Sequence, residues 1–304
     1  ISALSAGGGD APLFAFAEAD LGPDPRLVRG GVGVRVGHFW GAVGRQRVRL
    51  GGGASGALVL DPSAHLDGVV VGLAEPVRLG VLGEVSIGGG AGPASEYATV
   101  EDPWWGWLRV TARPAPWLQL GLSRAALVGG RFGGGAVPYD PVLYPADDRP
   151  LSFGDVLGAT VGRSTRFDDQ VGALDARVSL APLGIPALAY GELGWEDASR
   201  SWGDPAALVG VLFGLDTSAP VALRYEYAAV GGAARWCGWC DTLPAYWYRH
   251  TRFQSGWRSG EELLGHPLGG YGREHLVAVS GWNPDGRIRA DLRFADLRIG
   301  RAHV

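Results

Sequence analysis

Few residues in this sequence are spaced for chemistry. Cys237 and Cys240 enclose Gly238-Trp239 and are the only cysteines. That spacing suits a redox dithiol, half of a zinc site, or a short disulfide within a loop. A zinc site needs two more ligands at similar spacing, and the sequence offers none. A thioredoxin-like dithiol belongs at the start of a helix, which the flanking Arg235-Trp236 and Asp241-Thr242-Leu243-Pro244 disfavour. A Cys237–Cys240 disulfide in an exported loop is the expectation. The six histidines form no ligand set, and His250 and His266 carry no metal-binding spacing. No nucleophile elbow, phosphate loop or dinucleotide fingerprint is present. The acid pairs Asp147-Asp148 and Asp168-Asp169, flanked by Arg149 and Arg166, read as loop charges or cation sites rather than a glycosidase pair. No catalytic residue, metal or cofactor is expected.

Recognition is better represented. Period two along Trp104–Val110 puts Trp104, Leu108 and Val110 on one face and Trp105, Trp107, Arg109 and Arg113 on the other. Two readings stand. The tryptophans form a girdle at a lipid interface, or Trp105 and Trp107 stack on sugar rings while Arg109 pairs with an acidic group. Arg45, Arg47 and Arg49 alternate along one strand face, and Arg177 and Arg224 extend the same basic surface. On the second reading these residues bind an acidic polysaccharide.

The elements that would carry such residues are strands of about ten residues with alternating polarity, separated by Gly, Pro, Asp and Ser. Val221, Leu223, Tyr225 and Tyr227 oppose Ala222, Arg224, Glu226 and Ala228. Gly172, Leu174, Ala176 and Val178 oppose Ala173, Asp175, Arg177 and Ser179, and 187–196 and 287–294 alternate likewise. The polar faces mix arginine with carboxylates, which suits an enclosed, charge-paired lumen better than bulk water. Strands are expected at 13–20, 32–37, 41–50, 67–76, 80–88, 103–110, 117–127, 152–165, 170–180, 187–196, 206–215, 220–229, 246–254, 274–282 and 286–299. A short apolar strand is expected at 57–62, and loops at 88–103 and 129–148. The fold class is all-β. A single transmembrane antiparallel barrel of about 14–18 strands spans 1–304, with long extracellular or lumen-folded loops.

Composition agrees. Mean hydropathy is slightly positive at +0.07, yet no apolar run is long enough for a helical membrane span. The 51 glycines have no triplet period, which excludes collagen, and a net charge of −4 gives no reason to expect nucleic acid. Every basic residue is arginine. Methionine is absent, the initiator included, which reads as a processed chain or a fragment.

One stretch carries more. Tyr246–Gly272 opens with bulky strand formers and breaks into a glycine-rich loop. Its Tyr248-x-His250, Phe253, Gly256-Trp257, Gly260, Leu264-Gly265-His266 and Gly269 resemble the C-terminal signature of the Wzi family, outer-membrane β-barrels of capsule assembly. Asp175-x-Arg177, Tyr190-Gly-Glu192 with Glu196-Asp197, and Arg224-Tyr-Glu226-Tyr227 follow the same order. The resemblance covers about 40–300. It implies an outer-membrane protein that holds capsular or exopolysaccharide at the cell surface, as a lectin rather than an enzyme. Its implied partners are acidic polysaccharide or lipopolysaccharide, outer-membrane lipids and further envelope proteins. The competing expectations are a porin-like channel for anionic solutes and a structural barrel within an envelope assembly.

Overall fold

The computed structural model describes residues 2–6, 13–20, 26–53, 55–61, 65–94, 100–101, 103–129, 131–132, 152–162, 168–196, 205–215, 221–231, 247–248, 257–259, 262–270, 272–282 and 289–299. Fourteen strands follow one another: β1 (Ser2–Ala6), β2 (Leu13–Asp20), β3 (Arg26–Val36), β4 (Phe39–Arg47), β5 (His65–Leu73), β6 (Glu84–Pro93) and β7 (Trp104–Ala115). After them come β8 (Leu118–Val128), β9 (Asp168–Ser179), β10 (Ala187–Glu196), β11 (Ala206–Leu215), β12 (Val221–Val230), β13 (Gly272–Trp282) and β14 (Arg289–Ile299). Each pairs antiparallel with its neighbours in sequence, an up-and-down meander. Among the described residues no pairing joins β1 to β14. The sheet nevertheless curls around an interior. A single apolar cluster collects inward side chains from β5, β7, β8, β9, β10, β11 and β12, with Trp40 of β4 packed against it.

Two-residue alternation sorts the faces. Val32 and Val34 of β3, Val43 of β4, Val69 and Val71 of β5, Leu122 of β8, Val277 of β13 and Phe294 of β14 lie exposed on the outward row. Their cross-strand partners keep the parity, as in Val32↔Val43 and Val43↔Val69. Stranding this much aliphatic surface in water is unfavourable by about 25 cal/mol per Å². Lipid removes that cost, so the row is a membrane face. Among the described residues no helix is long and apolar enough to cross a membrane. Connections differ between the two ends. At one end 37–38, 116–117 and 180–186 are short turns and 74–83 folds back so that Val77–Arg78 pairs with β6, whereas at the other end 48–64, 129–167 and 231–271 are long. In outer-membrane barrels short turns face the periplasm and long loops face outward.

Four expected elements differ. The segment read as a strand at 152–165 contains a helix, α1 (Phe153–Thr160), because Ser152 and Asp155 form a capping box. α1 packs on the outer wall: Ala159 joins Ala126 and Val128 of β8, and a side chain at Gly106 of β7 would run into Val156 and Thr160. The run at 246–254 is no strand where it is described. Trp247 and Tyr248 form a turn, with Tyr248 at φ 60. The short strand expected at 57–62 is reduced to one bridge, Leu50↔Leu60, and β6 reaches Pro93 into the expected loop. Cys237 and Cys240, the 129–148 loop beyond Gly129 apart from 131–132, His250, and Asp147-Asp148 lie outside the described residues.

Candidate functional site

The loop end of the lumen is filled from within. The segment 48–61 leaves β4, turns into the barrel and buries Leu50, Leu58, Val59 and Leu60 almost completely. The described parts of 247–270 enter beside it and bury Trp247, Tyr248, Trp257, Leu264, His266 and Leu268. The two segments bind each other first. Tyr248 Oη donates to the Leu58 carbonyl at 2.6 Å and Trp257 Nε1 to the Val59 carbonyl at 2.9 Å. Asp61 N donates to the Leu264 carbonyl, and His266 N donates to Tyr248 Oη. The Tyr248 hydroxyl and the Trp257 indole N–H thus each meet a backbone carbonyl where they enter this apolar core.

Glycine makes the fit possible. Any side chain at Gly265 would occupy the Tyr248 ring, and one at Gly56 would strike His266 and Pro267. Backbone and ring therefore meet at distances closed to other residues.

The barrel wall grips this plug with carboxylates. Glu192 of β10 accepts from Leu58 N at 2.9 Å and Gly52 N at 3.3 Å. Glu226 of β12 accepts from Ser55 N at 2.7 Å, from Ser55 Oγ, and from Tyr190 Oη at 2.7 Å. His266 lies between the two partners: its Nε2 is 3.1 Å from Ser55 Oγ and 3.9 Å from Glu274 of β13. Burial holds the His266 imidazole down to about 4, so it is neutral at physiological pH. Burial likewise pushes the Tyr248 phenol well above its usual range and keeps it a donor. Alternation alone places Tyr190, Glu192 and Glu226 on the inward, polar face and does not give them this task. Strand parity could mark them as inward carboxylates, but the loop they hold is remote in sequence.

The residues expected to bind ligand divide. Trp105 is 3% exposed and donates its indole N–H to the Pro93 carbonyl, so it has no open face for a sugar. Trp107 is inward and borders a cavity beneath the plug. Arg109 points inward too, where it binds Asp175 of β9 at 2.9 Å and Ser123 of β8. Arg177 lies inward under Gly52, and Arg224 shares the inward parity of Glu226. Arg47 and Arg49 line the same cavity as Trp107. Arg45 corrects the expectation of one basic row: it shares the outward parity of Val43 and chelates Asp67 at 2.8 and 2.9 Å. The lumen also departs from the expected uniform charge pairing. Its loop half is an apolar core, and charge is concentrated at the grip points and below.

The family model of the capsule assembly protein Wzi matches residues 20–303. The chain belongs to this family. In this Wzi family member the signature Tyr248, Trp257, Leu264-Gly265-His266 and Gly269 forms the inner half of the plug. Among solved structures, the chain is similar to Wzi of Escherichia coli, described as a carbohydrate-binding β-barrel and outer membrane protein involved in group 1 capsule assembly. Identity is 18%, the TM-score is 0.72, and the match covers 98% of this chain. This chain spans 64% of that protein's length. OmpT of Vibrio cholerae, an outer membrane protein in trimer form, follows at 12% identity, TM-score 0.48, and coverage of 94% of this chain and 76% of that one. OccK10 of Pseudomonas aeruginosa stands at 11% identity, TM-score 0.44, and coverage of 97% and 85%. No curated protein matches the sequence. Family and fold together make this an outer-membrane-type β-barrel of the Wzi family.

Proposed function

We propose that the chain holds acidic polysaccharide at the cell surface and conducts no solute through its lumen. The observation that carries this reading is the plug. Two loop segments share one apolar core inside the barrel and are bonded to wall carboxylates Glu192 and Glu226. A solute path would have to break that core, which is a poor design for a porin with an arginine ladder. The barrel serves as a rigid base, and the long loop end meets the polymer. Purified protein in detergent should retain a uronate-bearing polysaccharide more strongly than neutral dextran, and added salt should weaken retention because exposed charge pairs are screened. Equal retention of both polymers, or none of either, would remove the reading. The porin alternative predicts solute flux with no polymer retention.

A further inference from the structure

Beneath the plug the lumen is not filled. A cavity of about 330 Å³ remains, within the range that ligand pockets occupy. Residues 46–50, the end of β4 and the start of the inserted segment, bound it on the loop side, and Trp40, Leu73 and Thr111, near the short turns, line it below. Among its lining residues three are arginines, Arg47, Arg49 and Arg109, and none is acidic. Asp175 holds Arg109 from the wall, and Glu18 lies 4.0 Å from Arg47. Positive charge is therefore in excess, with Arg49 contributing most directly.

The apolar lining is equally specific. Trp40 rests against Gly72, and Trp107 lies across Gly88 and Gly90. Bare backbone lets both indoles lie close to the wall and border the cavity without filling it. Among the described residues the indole N–H of Trp107 and the amide nitrogen of Gln46 have no acceptor. Both residues line the cavity, together with the hydroxyls of Ser86 and Thr111. Indoles for the C–H face of a ring, guanidinium groups for a carboxylate, and unsatisfied donors beside hydroxyls for ring oxygens make a coherent set.

We propose that this cavity binds a short anionic saccharide, a uronate of one or two rings, entering from the short-turn side. The site is separate from polymer holding at the loop end, since the plug lies between them. Guanidinium groups also bind phosphate, so the test must separate a sugar from a bare anion.

The experiment titrates detergent-purified protein with digalacturonate, neutral galactobiose and inorganic phosphate, following binding by calorimetry. Digalacturonate should bind at least about tenfold more tightly than either control, because stacking and ion pairing act together. The double variant Arg47→Gln/Arg49→Gln should lose at least about tenfold in affinity, as should Thr111→Trp, which fills the cavity without removing charge. Arg45→Gln, on the outer face, should bind as the parent does. Heat-modifiable electrophoretic mobility confirms folding, and Thr111→Trp keeps the test open if the arginine variant misfolds. No binding by the parent, unchanged binding by a folded cavity variant, or phosphate binding as tightly as digalacturonate would overturn the proposal. Retention of uronate polymer at the loop end is measured on the same variants and should be unchanged. Absence of polymer retention by the parent, with its digalacturonate binding intact, would sink the surface reading and leave the cavity standing.

Discussion

At the residue scale the account rests on a few buried groups. Glu226 is 1% exposed and satisfies Ser55 N, Ser55 Oγ and Tyr190 Oη. Glu226→Ala orphans those donors in an apolar setting, and a lost charge-assisted bond costs about 1.5–3 kcal/mol. The variant should lower the thermal midpoint in detergent, and protease should cut 48–61 more readily; Glu226→Gln, still an acceptor, should lose less. His266 sets a pH dependence. It is neutral while the plug is docked, with its pKa held down to about 4, but it titrates near its ordinary 6.5 once released. The released state therefore binds more protons between these values, and docking weakens as pH falls from about 6.5 toward 4. Above 6.5 this group contributes no pH dependence. Protease cutting of the plug should rise over that interval, and His266→Gln should flatten the rise.

At the element scale the sequence was most legible where lipid and lumen impose opposite demands on neighbouring residues. β10 and β11 fall on their expected bounds of 187–196 and 206–215, because period two admits one register once one face meets lipid. The same contrast yields a prediction. Leu122→Arg, on the membrane face, should destabilise insertion into vesicles by about 2–4 kcal/mol if it lies near the midplane. Thr111→Arg, inward on the neighbouring strand, should cost far less; equal costs in urea titrations of vesicle-folded protein would contradict the assignment of faces. Legibility failed where local signals conflicted. Ser152 and Asp155 cap a helix in a stretch whose apolar residues also suited a strand, and bonds between neighbours decided it. Tyr246–Phe253 has strand-forming residues, yet Trp247 and Tyr248 turn inward because Leu58 and Gly265 receive them. Those partners lie up to 190 residues away, beyond any local pattern. The arginine row failed for a related reason: Arg45 and Arg47 still belong to β4, while Arg49 follows the chain as it leaves the wall for the lumen.

At the scale of the whole molecule, a fourteen-stranded wall presents aliphatic side chains to lipid and encloses an apolar core on its loop side. The wall's carboxylates hold the plug, and its arginines surround the space beneath. The central claim is that this barrel is closed by its own loops. Single-channel recording in planar bilayers tests it most directly, with Glu192→Ala/Glu226→Ala as the variant whose plug has lost its grip. The account predicts a flat baseline for the parent and discrete conductance steps for the folded variant. Stable open-channel steps from the parent protein would contradict it.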